Sequence, residues 1–119
     1  MEKLTQRSQF LAVARGKRVN RPGFVLQALA SREAGPARFG FTVTKKIGNA
    51  VVRNRIRRRL REAVRVAGEA EAAAGMDYVL VGRPAALTLE FERLVADLLS
   101  GLAFLSGRGQ DKRPDREAR

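Results

Sequence analysis

The sequence predicts an α+β domain, a small sandwich with its elements in the order α-β-β-α-β-α. Three stretches carry that expectation. Phe39, Phe41 and Val43 alternate with Gly40, Thr42 and Thr44, the two-residue period of a strand with one buried side. Ile56, Leu60, Ala63, Val64 and Ala67 recur at three- and four-residue steps, which places them on one side of a helix. Phe91, Leu94, Val95, Leu98, Leu99 and Leu102 form a similar stripe further on. With 119 residues and 45% apolar content, the chain suffices for one domain with a real core.

A first helix is expected over Thr5–Ala14, capped by Thr5 or Ser8 and stopped by Gly16. Val19–Ala30 reads as a strand interrupted at Pro22-Gly23 and strongest over Phe24–Ala30; Pro22, lacking a donor, marks an edge, a start or a bulge. Ser31–Arg38 is a turn, so Phe24–Ala30 and Phe39–Thr44 are expected to pair as a hairpin. Gly48-Asn49 can take unusual backbone angles and cap a second helix over Val51–Ala67. Tyr78–Gly82 is a short buried strand ended by Arg83-Pro84, and Thr88 caps a last helix over Leu89–Leu105. The helices are expected on one face of the sheet, with Phe39, Phe41, Phe91 and Phe104 in the core. The domain thus spans residues 1–106, followed by a basic, disordered tail over 107–119.

Charge narrows the function. The chain carries 24 Lys and Arg against 12 Asp and Glu, a formal net charge of +12. Lys45 to Arg65 alone holds nine basic residues and one acid, Glu62. Arg58, Arg61 and Arg65 point away from the apolar stripe, with Arg55 and Arg59 on one flank. Like charges three and four apart destabilise a free helix, whereas a polyanion relieves the repulsion and releases its own counterions. Arginine forks also match phosphate bidentately and stack on bases. These features point to a nucleic acid. There is no Cys and no His, and the acids are dispersed, so neither thiol chemistry, an imidazole base nor a two-metal nuclease centre is expected of the protein itself. No catalytic or metal-ligating residue is assigned. The N-terminus has no signal-like apolar run and no segment could span a bilayer, which suggests a cytoplasmic protein.

The stretch Thr42 to Glu62, TVTKKIGNAVVRNRIRRRLRE, closely resembles the protein subunit of bacterial ribonuclease P. Its motif is a strand ending in Ser/Thr and paired lysines, then Ile-Gly-Asn-Ala-Val, then Arg-Asn-Arg opening a basic helix. Lys3-Leu4 with Phe10, Asn20-Arg21 with Phe24-Val25-Leu26, and Asp77–Val81 with Arg83-Pro84-Ala85 extend the likeness over residues 3–105. The resemblance implies a fold similar to ribosomal protein S5 domain 2, with a left-handed β-α-β crossover around the basic helix. It implies a catalytic RNA subunit using Mg²⁺, held mainly by that RNA, which cleaves the 5′ leader from precursor tRNA with the protein as cofactor in this endoribonuclease. Lys45, Lys46, Asn49, Arg53, Asn54, Arg55, Arg57, Arg58, Arg59 and Arg61 fall on the family's RNA-contacting positions; Arg65 extends that set. Asn54 offers both donor and acceptor.

The family also takes the single-stranded leader in an aromatic cleft between the first helix and the sheet, where stacking tolerates any base. Phe10 matches one such position. Ala14 stands where Phe is common and Gln27 where Tyr is common, so leader contact is assigned to Phe10 with Arg7, Arg15, Lys17 and Arg18. The expected partners are the catalytic RNA and precursor tRNA, with no membrane and no oligomer of the free protein. The alternative is a non-catalytic ribosomal or assembly-type RNA-binding protein, separated from the first reading only by the Lys-Lys-Ile-Gly-Asn-Ala-Val-Val-Arg-Asn-Arg motif. A membrane-surface or calmodulin-type helix fails for want of Trp or Phe anchors on the apolar side.

Overall fold

A computed structural model describes residues 2–68 and 72–106. It contains β1 (Glu2–Lys3), α1 (Arg7–Ala14), β2 (Lys17–Asn20), β3 (Phe24–Ala30) and β4 (Arg38–Thr42). A 3₁₀ turn (Lys45–Ile47) leads into α2 (Ala50–Ala63), which unwinds through a π turn (Val64–Gly68). β5 (Met76–Gly82), a second 3₁₀ turn (Pro84–Leu87) and α3 (Phe91–Leu105) follow. The tail from Gly107 onward lies outside the described residues.

The five strands run β1-β4-β5-β3-β2. β5 is parallel to β4 and antiparallel to β3, so it separates the two strands expected to form a hairpin. The reason is in the side chains. Tyr78 and Leu80 are buried against α2 and α3, while Val79 is buried against α1. A run that is apolar on both faces belongs in the middle of a sheet. β4 has alternation and sits nearer the edge, beside the two-residue β1. The hairpin that does form joins β2 to β3 across Arg21-Pro22-Gly23, with Arg21 N–H donating to Phe24 O at 2.8 Å.

Helices cover both faces, not one. α2 and α3 share the larger core with Phe24, Leu26, Phe39, Tyr78 and Leu80. α1 closes the other face over Leu4, Val13 and Val79. Placing Ile56, Leu60, Ala63, Val64 and Ala67 on one buried side proves correct; the first four are fully buried. The expected caps are met only in part. Asn49 caps α2, its side chain accepting from Val52 N at 3.0 Å, but Gly48 is extended, with φ 160°. α1 starts after Gln6, where Gln9 Oε1 accepts from the N–H of Thr5 and of Gln6, each at 2.9 Å. α3 starts after Glu90, while Thr88 closes the preceding 3₁₀ turn on Ala85 O. Gly75 has φ +79°, and a Cβ there would meet Arg32 O at 2.4 Å, so the entry to β5 requires glycine.

Candidate nucleic-acid interface

α2 is held firmly enough to present its outer side as a fixed surface. Its apolar stripe is buried, its first turn is capped by Asn49, and two of its arginines are tied to backbone. Arg53 Nε donates to Gly48 O at 3.0 Å, closing the loop that carries Lys45 and Lys46 onto the helix. Arg59 reaches the opposite way: Nη1 donates to Ala86 O at 2.7 Å and Leu87 O at 3.2 Å, and Nη2 to Leu89 O at 2.6 Å. One guanidinium therefore gathers carbonyls from the turn between β5 and α3. Such charge-assisted bonds rank among the stronger ones.

The remaining cations face outward. Lys45, Lys46, Arg55 and Arg58 are exposed, and their side chains have no partner among the described residues. Asn54 is exposed and accepts from Arg57 Nη1 at 3.0 Å. Arg65 pairs with Glu62 one turn back. The hydrogen bond from Arg65 holds the Glu62 carboxyl below its ordinary range, and the same contact raises the Arg65 guanidinium. Arg61 lies over the Phe41 ring, its Cζ 5.8 Å from the centroid, within cation–π range.

Arg61 and Phe41 open onto a groove of about 490 Å³. Leu4, Phe10, Phe39 and Gly40 form its apolar part; Arg57, Arg61 and Glu62 line it from α2, Arg65 from the π turn, and Glu2 and Lys3 from β1. It exists because β1 pairs only with Arg38 and Phe39, leaving the outer edge of β4 uncovered from Gly40 on. Gly40 also determines where Phe10 sits, since a Cβ there would meet the Phe10 ring at 2.5 Å. Phe41, expected in the core, is half-buried at this edge.

The fold divides the residues assigned to leader contact. Phe10 joins the arginines of α2. Lys17 and Arg18 lie on β2, the opposite edge strand, beside Phe104. Arg7 and Arg15 are exposed at the two ends of α1. Phe104, expected in the core, is 45% exposed, two residues past Leu102 and so turned away from the buried stripe; Phe91 is half-buried. Sequence reasoning also missed the pair between Arg38 and Asp77, bidentate at 2.8 Å on both oxygens. Burial pushes the Asp77 carboxyl up, but hydrogen bonds from Arg38 and Ser31 and the nearby Arg38 and Arg32 charges outweigh it, leaving it below the ordinary range. No local pattern announces that pair, because its members are 39 residues apart.

Among the described residues, no three His, Cys, Asp or Glu side chains cluster as metal ligands, and no helix is long and apolar enough to cross a membrane. A clamped basic helix beside an aromatic groove on an open sheet edge gives this α+β protein one strongly basic face. The ribonuclease P family model matches residues 1–105, and the chain belongs to that family. It is 54% identical to the ribonuclease P protein component of Gluconacetobacter diazotrophicus over 110 residues, 92% of this chain and 95% of that one. With the corresponding protein of Paramagnetospirillum magneticum it shares 46% over 107 residues, 86% and 80% of the two chains. Among solved structures, Staphylococcus aureus RNase P protein superposes with a TM-score of 0.73 at 26% identity, covering 88% of this chain and 95% of that one. The Thermotoga maritima protein gives 0.68 at 27%, covering 83% and 96%. The α+β architecture is consistent with the ribosomal protein S5 domain 2-like fold. Membership places the chain in tRNA processing, as a component of an endoribonuclease complex partnered with ribonuclease P RNA.

Proposed function

We propose that the chain is the protein cofactor that docks on ribonuclease P RNA through the outer side of α2 and holds the 5′ leader of precursor tRNA. The observation that supports this most is the set of exposed side chains Lys45 and Lys46, on the 3₁₀ turn, and Arg55 and Arg58, on the helix that Arg53 and Arg59 lock in place, all unpartnered within the described protein. Because the backbone that carries these cations is already held in place, binding phosphates orders their side chains but not the chain beneath them. The groove at Phe10, Phe41 and Arg61 suits unpaired leader bases, with aromatic faces to stack on and arginines for the phosphates.

In this reading Mg²⁺ is held mainly by the RNA. The protein contributes positive charge and position, and it does so in the cytoplasm, where precursor tRNA is made. The test is cleavage of precursor tRNA by a bacterial ribonuclease P RNA at low Mg²⁺, with and without this protein. Restored 5′ maturation is the expected result. Tight RNA binding without improved cleavage would favour a general RNA-binding protein instead.

A further inference from the structure

We propose that a second contact for unpaired RNA lies at the β2 edge, with Phe104 as its stacking platform and Lys17 and Arg18 as its phosphate partners. The proposal rests on the reading above that this protein binds RNA, and it adds a site that the arginine helix does not include.

Phe104 is out of keeping with its helix. Leu94, Leu98, Leu102 and Leu105 of α3 are buried, yet the aromatic ring beside them is 45% exposed. It opens onto a recess of about 380 Å³ completed by Lys17, Arg18, Leu105 and Ser106. Lys17 and Arg18 are exposed, and no described side chain or carbonyl partners them. Arg21, just past the end of the same strand, differs: its Nε donates to Ser100 at 3.1 Å and its Nη1 to Asn20 O at 2.8 Å. One cation near β2 is therefore held down while two beside the ring are left available.

The combination selects its occupant. An apolar protein surface that covered Phe104 would have to desolvate two unpaired charges with it, which is costly. Unpaired RNA meets both demands together, because its bases stack on the ring and its phosphates pair with the cations. A duplex cannot, since its bases are already stacked inside. β2 is separated from β4 by two intervening strands, about 14 Å at the usual strand spacing. This contact is therefore distinct from the Phe10 groove and lies across the sheet from it.

The unpaired strand can come from the catalytic RNA or from the leader, and the experiment separates them. Binding of the full chain is measured to ribonuclease P RNA alone, and to precursor tRNA with long and short leaders, for Phe104→Ala, Phe104→Leu and Phe104→Tyr. We expect Phe104→Ala and Phe104→Leu to weaken binding about 5- to 100-fold, as loss of one stacked base does, with Phe104→Tyr near wild type. Loss on the RNA subunit assigns the strand to that RNA; loss confined to the long leader assigns it to substrate. Full binding by Phe104→Leu would overturn the proposal, since the ring would then be only apolar filler. Unchanged binding by Phe104→Ala while Arg58→Ala binds poorly would also overturn it, and would leave the cofactor reading intact. If the wild-type chain itself binds neither RNA, the RNA-binding reading fails. Concentration-dependent self-association abolished by Phe104→Ala would replace this site with an interface between two copies.

Discussion

Arg59 and Arg58 are neighbours on one helix and have opposite fates. Arg59 spends its donors on three backbone carbonyls of its own chain. The Arg58 side chain makes no hydrogen bond or ion pair with the described residues. Arg53 sides with Arg59, and Arg55 sides with Arg58. The difference follows from the helical rotation of 100° per residue, which turns one neighbour toward the β5–α3 turn and the other toward solvent. A run of arginines is therefore not one functional unit. Part of it fixes the surface that the rest presents.

The largest test of this division is Arg59→Ala. Leaving three carbonyls without their cation should cost about 2–3 kcal/mol, read as a drop of roughly 10 °C in Tm, with Arg59→Lys recovering only part of it. A Tm within a degree of wild type would mean that the clamp contributes nothing. Next comes Asp77→Ala, which leaves Arg38 facing a site built for a pair and should cost about 2 kcal/mol at neutral pH. The pH dependence has a definite sign. The Asp77 carboxyl titrates below its unfolded value of about 3.9, so its stabilisation is present above that pH and is lost as the pH falls through the lower folded value. Urea titrations of wild type and Asp77→Asn should therefore converge below about pH 4; a constant gap down to pH 2 would refute the assignment. The smallest effect on stability belongs to Arg55→Ala and Arg58→Ala. Tm should not move, while the slope of log affinity against log salt for RNA falls by about 0.7–0.9 per lost phosphate contact. An unchanged slope would mean that these side chains stay in solvent when RNA binds.

How much of this was legible beforehand varies with range. The α2 stripe and the Asn49 cap are local, periodic signals, and both are realised. The basic surface could be read as a surface because charge density is a property of composition. Strand order could not be read from neighbours alone, yet a signal was present: Tyr78–Val81 is continuously apolar while Phe39–Thr44 alternates. That contrast distinguishes a central strand from one near an edge. The split of the expected leader residues had no such signal. Phe10 and Lys17 are seven residues apart, but α1 carries the chain from β4, where Phe10 packs on Gly40, to β2 at the far edge. The exposure of Phe104 was legible, because two residues past Leu102 it falls about 200° round the helix, away from the buried stripe.

The position of β5 also governs how the molecule can be made. It is the last strand among the described residues and the centre of the sheet, so its two neighbours, β4 and β3, wait for it. Until residues 76–82 have left the ribosome, β4 has only the two residues of β1 beside it and β3 has only β2. Long-range closure of this kind comes late and is slow relative to local hairpins and helices. The arginine helix, synthesised earlier, has no completed sheet to lie on in that interval. A nascent chain ending before Met76 would thus carry the full positive charge of α2 without the fold that directs it.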